Sequence, residues 1–212
     1  MTLTEVLVIL LVVAGLFVLI LSSLQSAKRH ASKVSCWSQE RTIYVCFEIW
    51  AGEHGDKYPM QLGSAEGGAK ELAAIGNVAA IFRVMSNELW SPKVLICPED
   101  TIHHYAPDFT TNFGRKNISY FVGLDATEEN TNSILVGDDN LVIDGVPAKS
   151  GVFELFSNTP VAWTSERHHS GGYIVLAGGW GSIPTNLTLA RAIIKQYEGP
   201  SGFTNRFRIA IP

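Results

Sequence analysis

The first part of this chain lacks charge. Between Val6 and Gln25 there is no ionisable side chain, and nearly every position is Val, Leu, Ile, Ala, Gly or Phe. A helix rising about 1.5 Å per residue needs roughly 20 such residues to cross a bilayer's hydrocarbon. The run therefore reads as a membrane-spanning helix. No basic residue precedes it and no small-x-small site closes it. A cleaved signal peptide differs on both counts, with a basic start and an apolar core of about 7–15 residues. Catalytic signatures are also missing. There is no Gly-x-Ser-x-Gly elbow, and Gly171-Gly172 and Gly178-Gly179 do not open a helix after a strand, which excludes a phosphate loop. There is no internal repeat and no low-complexity segment. With 16 Lys and Arg against 20 Asp and Glu, the net charge is -4. That balance gives no basis for a nucleic-acid partner.

A single carboxylate, Glu5, stands at the head of the apolar run. Burying it in a membrane costs about 2.5–3.5 kcal/mol on the lenient insertion scale, so it needs a partner or a place at the headgroup interface. The nearest positive charge at that depth is the α-amino group of Met1. If many copies pack their helices together, Glu5 of one can neutralise the amine of its neighbour.

Past the anchor, no Gly or Pro occurs between Phe17 and Ala51, so the helix continues. Ile43, Cys46, Phe47 and Trp50 form a stripe at helical spacing, with Cys36 on the same face. Glu40, Arg41 and Glu48 are expected on the opposite face, in water. One helix of roughly 50 residues is thus expected to end near Gly52, half in the membrane and half packed on a domain. The expected organisation is a transmembrane and assembly helix over 1–26, its continuation over 27–52, and a globular α+β domain over 53–212, large enough for a single core.

Residues 52–68 read as a loop around Tyr58-Pro59. A short helix follows, with Asn77 as N-cap, Val78, Ile81, Phe82, Met85 and Leu89 on its core face, and Pro92 as a stop. From there short apolar runs predict strands at 93–96, 118–123, 133–136, 151–156, 160–163 and 173–177. Gly137, Asp138-Asp139-Asn140, Asp144-Gly145 and Ser170-Gly171-Gly172 read as turns between them. A helix after Asn186 and a last edge strand through Phe207, Ile209 and Ile211 complete the pattern. The fold class is α+β, a long N-terminal helix packed on an antiparallel sheet with short extra helices.

The residues Met1-Thr-Leu-Thr-Glu5-Val-Leu-Val, followed by the apolar run, resemble the mature start of type IV pilins and type II secretion pseudopilins. The resemblance implies a filament subunit with Met1 and Glu5 as assembly residues. It also implies a membrane prepilin peptidase that removes a basic leader and methylates the new first residue, and an inner-membrane assembly machinery. Met1 is then either that mature residue or an internal Met at which the numbering starts. The stretch around Cys36, residues 47–60, Lys93-Val-Leu-Ile-Cys97-Pro-Glu-Asp100 and Asn117-Ile-Ser-Tyr-Phe-Val-Gly123 are similar to one branch of these proteins. That branch carries His, nine residues, then Asp-Gly near its C-terminal end. Here His168 is followed by nine residues and Gly178-Gly179, so the Asp is absent. Implied partners are copies of the chain itself, or a mixed pilin filament, and membrane lipid. The implied location is the bacterial inner membrane with a periplasmic domain, then an extracytoplasmic filament. Lys28, Arg29 and Lys33 alone argue for a cytoplasmic domain, and a basic leader would reverse that.

The three cysteines fit an exported domain. Cys36 and Cys46 lie about 15 Å apart along one helix, beyond disulfide reach. Cys97 is the remaining intrachain partner for either, and Cys36 is on the core face. A Cys36–Cys97 bridge would close a loop of about 60 residues, worth about 2–4 kcal/mol. Three buried thiols with no bridge are the other arrangement the pattern allows, and Cys46 is left over in either case.

Metal readings are weaker. Glu166, His168 and His169, and Asp100, His103 and His104, contain zinc-binding types without helical His-x3-His spacing. Neighbouring His-His side chains on a strand diverge, so these histidines are expected in turns or in solvent. Asp125, Asp138 and Asp139 are the Ca²⁺ candidates, against an ordinary turn. Trp163 and Trp180 could stack on a sugar, although core packing suits them better. The readings that follow are a non-enzymatic polymerising subunit, a single-pass tethered domain binding a glycan or a metal, and a tethered hydrolase using His168 or His169.

Overall fold

The structure is a computed structural model that describes residues 2–110, 112–156, 158–164, 171–179, 181–182 and 206–212. Of Ser26, Arg29, Ser182 and Arg206 only the backbone is described. Met1, the His168–His169 pair with Glu166, Trp180 and the helix expected after Asn186 all lie outside the described residues.

Helix α1 runs unbroken over Leu3–Glu53, 51 residues or about 75 Å. Its start is a reciprocal cap. The Thr2 amide donates to Glu5 Oε2 at 2.8 Å, and the Glu5 amide donates to Thr2 Oγ1 at 3.4 Å. At the other end Gly55 and Asp56 take positive φ and turn the chain away. The helix changes character midway. Described side chains through Ala31 are all exposed, including Leu7, Leu11, Phe17 and Leu24. Burial begins at Cys36 and repeats through Glu40, Ile43, Phe47 and Trp50. That stripe packs on the domain, as the spacing predicts, with one exception. Glu40 is fully buried rather than solvated.

Helices α2 (Lys70–Ala74), α3 (Val78–Val84) and α4 (Ser86–Leu89) pack beside the second half of α1. Asn77 caps α3 as expected, its Oδ1 accepting the Ala80 amide at 3.2 Å. Tyr58 of the preceding loop is buried edge-on against Phe47, and Phe47 meets Phe82 in the same way, with ring centres 5.6 and 6.2 Å apart. The strand expected at 93–96 is instead a 3-10 turn over Pro92–Leu95. Ser91 caps it through the Lys93 amide, and Pro92 sits where a helix tolerates it.

Nine strands follow among the described residues: β1 (Tyr120–Gly123), β2 (Ile134–Asp138), β3 (Leu141–Ile143), β4 (Val146–Pro147), β5 (Gly151–Phe156), β6 (Val161–Trp163), β7 (Ile174–Leu176), β8 (Gly181–Ser182) and β9 (Arg206–Ile211). They form two antiparallel sheets, a larger one in the order β5-β9-β1-β2-β7-β8 and a smaller one in the order β4-β3-β6. The Asp144-Gly145 turn joins β3 to β4 with φ of 52° and 77°, the two-residue hairpin geometry that this dipeptide favours. Two other expectations are corrected. Gly137 lies inside β2 rather than in a turn, and the C-terminal strand is not an edge. β9 is clasped between β5 and β1.

The larger sheet is covered on both faces. Tyr120, Val122, Val136, Val175 and Ala210 face the core shared with α1. Phe121, Ile134, Ile174, Phe207, Ile209 and Ile211 face the opposite way, into a second core closed by Leu141 and Val161 of the smaller sheet. Alternation along β1 and β9 delivers successive side chains to opposite cores. An irregularity between Ile134 and Val136 lets both Leu135 and Val136 join the helix side. The chain is thus an α+β fold, a long helix on an antiparallel sheet, as its sequence pattern predicts.

Candidate functional site

Two features stand out chemically, the bare half of α1 and a buried polar cluster where α1 meets the sheet. The apolar half has no partner within the described residues. It is long and apolar enough to span a membrane, and none of its spanning window is buried. Glu5 is occupied within its own chain by the Thr2 amide. That contact satisfies one of the orphan donors at the helix start and complements the positive end of the helix dipole.

The cluster is built by three separate parts of the chain. Helix α1 brings Cys36 and, one turn on, Glu40. The segment after the 3-10 turn brings Cys97, and the end of β2 brings Asp138. All four are buried, and the ligand atoms of Cys36, Cys97 and Asp138 lie within 4.8 Å of one another. The Cys36 thiol approaches Asp138 Oδ1 and the Tyr120 hydroxyl, each at 3.5 Å. Asp138 Oδ2 accepts the Tyr173 amide at 2.9 Å, and the Tyr120 hydroxyl donates to Gln39 Oε1 at 3.0 Å. Both carboxyl oxygens of Glu40 are without a hydrogen-bond partner.

These groups disturb one another. Burial, then the charges of Asp138 and Cys97, push Glu40 well above the usual carboxylate range. Hydrogen bonding to Cys97, burial and the charge of Asp138 raise the Cys36 thiol strongly. Tyr120 rises by burial first and then by the same neighbours. Without a counter-charge the Glu40 carboxyl and the Cys36 thiol therefore favour their protonated forms.

A second polar set adjoins it. Asp100 Oδ2 lies 2.6 Å from His103 Nδ1, and Asp139 Oδ2 lies 3.9 Å from His103 Nε2. The two sets are linked through Ser119. Its Oγ accepts the Cys97 amide at 3.0 Å and donates to Asp100 Oδ2 at 2.7 Å.

The sequence-derived candidates fall as follows. Cys36 and Cys97 do come together, but neither is in a disulfide, and Cys46 is a third separate thiol under α4. The expected bridge is thus corrected. The sulfurs are neighbours that share their pocket with two carboxylates, and no bond joins them. Of the Ca²⁺ candidates, Asp125 is engaged by Arg208, whose Nη2 is 2.5 Å from its Oδ1. Asp138 faces the thiols and Asp139 faces His103, so the three do not share one site. Both Asp138 and Asp139 are fully buried, unlike residues of a solvated turn. His103 is clamped between carboxylates, whereas His104 is exposed. Gly178 lies in the turn between β7 and β8. A Cβ there would come within 2.9 Å of Thr131, so a side chain does not fit without movement.

Glu40 is the member of this cluster whose place differs from the sequence expectation, buried rather than in water. Its signal was available, since it lies one helical turn after Cys36 on the face that carries the core stripe. No family model, no curated protein and no solved structure matches this chain.

Proposed function

We propose that this chain is the structural subunit of a filament of the type IV pilus or type II secretion pseudopilus kind, held in the membrane until assembly. One observation carries the reading. A single unbroken helix carries an apolar run from Val6 to Leu21 that has no partner among the described residues, and its second half is packed on an α+β domain. A covered face and a bare face on one rigid rod suit a part that is completed by other copies of itself. Lipid covers the bare half before assembly. Helix–helix packing replaces those contacts in the filament, at little net cost because lipid tails and Leu side chains are equally apolar.

Glu5 sets the axial register in this proposal. In the lone chain its carboxylate is satisfied by the Thr2 amide. In the filament it exchanges that partner for the α-amine of Met1 on a neighbouring copy. The partners are other copies of the chain or related pilins, a prepilin peptidase and an inner-membrane assembly machinery. The domain lies on the periplasmic side of a bacterial inner membrane and then outside it. The chain's activity is polymerisation, with no catalytic chemistry of its own.

The test separates membranes from sheared surface material by size and follows Glu5→Ala. We expect wild-type chain in large assemblies and Glu5→Ala in the membrane fraction only, with an unchanged protease-resistant domain. Filament yield equal to wild type from Glu5→Ala would reject the register role. Absence of wild-type chain from any large assembly would leave a tethered binding domain as the better account.

A further inference from the structure

We infer that Cys36, Cys97, Asp138 and Glu40 form a binding site for one thiophilic divalent cation of the Zn²⁺ type. The donor set is compact. Three ligand atoms already lie within 4.8 Å of one another. In a tetrahedral site with metal–sulfur bonds of about 2.3 Å, neighbouring donors sit roughly 3.5–4 Å apart. For Cys36, Cys97 and Asp138, closing on an ion thus takes side-chain movements of about an ångström, and Glu40 would swing in from one turn along α1.

Glu40 supplies the independent observation. A fully buried carboxyl with neither oxygen hydrogen-bonded is costly and rare. It stands one turn from Cys36 on α1, and it feels the charges of Asp138 and Cys97. A cation at the centre of the four gives Glu40 the partner it lacks and makes it the fourth ligand. A disulfide would not. It would remove the two thiols and leave Glu40 and Asp138 as neighbouring buried acids.

Donor type selects the ion. Two sulfurs favour Zn²⁺ or a similarly soft ion over Ca²⁺ or Mg²⁺, which take oxygen donors. The surroundings suit a bound thiolate and carboxylate. The Tyr120 hydroxyl lies 3.5 Å from Cys36 Sγ, and the Tyr173 amide holds Asp138 at 2.9 Å, the kind of outer contact that fixes ligands in place. The ion replaces the thiol protons and ties α1, the Cys97 segment and β2 at one point. It is a structural clamp, because four protein ligands leave no open position for substrate.

The experiment uses full-length protein purified in mild detergent without chelator. Metal content is measured by mass spectrometry, and metal-depleted protein is titrated with Zn²⁺ and with Co²⁺. We expect about one bound Zn²⁺ per chain and a tetrahedral Co²⁺ spectrum with thiolate charge-transfer bands. Cys36→Ser and Cys97→Ser each weaken those bands. Glu40→Gln keeps them while weakening Zn²⁺ binding by about ten-fold or more. If the cysteine variants do not fold, the wild-type Co²⁺ spectrum and the Glu40→Gln affinity still decide. Metal below about a tenth of an equivalent with no Co²⁺ spectrum overturns the site. So does an intact mass two hydrogens short together with a non-reduced peptide map that joins Cys36 to Cys97. None of these readouts depends on whether the chain polymerises.

Discussion

If β9 is a central strand, a substitution of Phe207 should be among the most damaging single changes in the domain. Its ring is 1% exposed in the core between the two sheets, beside Ile134, Leu155 and Ile174. Phe→Ala at such a site costs about 3–5 kcal/mol, the transfer of the ring plus the cavity it leaves. A domain of this size has about 5–15 kcal/mol in total. The assay is a urea titration of full-length protein in detergent, followed by tryptophan fluorescence. Trp163 lines the same core and Trp50 the other. With a slope of about 2 kcal/mol per molar urea, the midpoint should fall by roughly 1.5–2.5 M. Val146→Ala, at an exposed hairpin strand, is the control and should stay within about 0.5 kcal/mol of wild type. A chain ended after residue 205 loses Phe207, Ile209 and Ile211 together, about 5–9 kcal/mol of burial. It also strands β5, so it should show no cooperative transition. If Phe207→Ala is as mild as Val146→Ala, the central placement of β9 is wrong.

Three further outcomes follow, two from close approaches and one from a thiol. Gly137→Ala puts a Cβ 2.8 Å from the Phe121 ring and Ile174 Cγ2, side chains that can yield, so the same urea assay should show a loss of about 1–3 kcal/mol. Gly123→Ala aims a Cβ at the Ile134 carbonyl oxygen, which is backbone, and should cost more than Gly137→Ala; the reverse order would contradict the β1–β2 register. Burial and the charge of Glu88 push the Cys46 thiol from 9.0 to about 11. The folded state therefore favours the protonated thiol. Its contribution to stability is full below pH 9.0 and is lost as pH rises towards 11. Cys46→Ala should flatten that alkaline decline in the urea midpoint, and an unchanged decline would place its origin elsewhere.

The sequence's legibility followed the range of the forces involved. α1 could be read almost to its last residue, because its apolar run and its Ile43–Phe47–Trp50 stripe are local periodicities. The Asn77 cap and the Asp144-Gly145 turn could be read because each residue type meets a local backbone demand. Lys93–Ile96 misled because a short apolar run fits a strand and a buried turn equally well, and Ser91-Pro92 settles it only through cap geometry. β9 misled for a different reason. Alternation shows that a strand has two faces, but sheet order is set by pairings some 50 to 90 residues away in sequence, which leave no local mark. Cys36 and Cys97 were brought together as expected, yet spacing says nothing about what else shares a pocket.

Glu40 shows why that last point matters for function. On α1 the apolar stripe would be continuous from Cys36 to Trp50 if position 40 were Leu, and the helix would pack at least as well. A carboxylic acid there is a standing cost, since its oxygens have given up water and found no donor. Such a cost is sustained when something offsets it, and buried ionisable groups are best attested as devices that fix one register over its neighbours. A one-turn slip of α1 along the sheet would carry Glu40 about 5.4 Å past Asp138 and Cys97. It would leave Ser32 where Cys36 now meets them. A purely apolar stripe resists that slip weakly, because Leu, Ile and Val pack acceptably at many offsets. The proposed cation, held by Cys36, Cys97, Asp138 and Glu40, would permit a single offset. If the chain assembles as proposed, its bare helix enters a filament at a fixed depth relative to its domain, and the position of α1 on the sheet would then transmit register from one copy to the next. On that proposal, the polar cluster at Cys36–Glu40 is where the fold would set it.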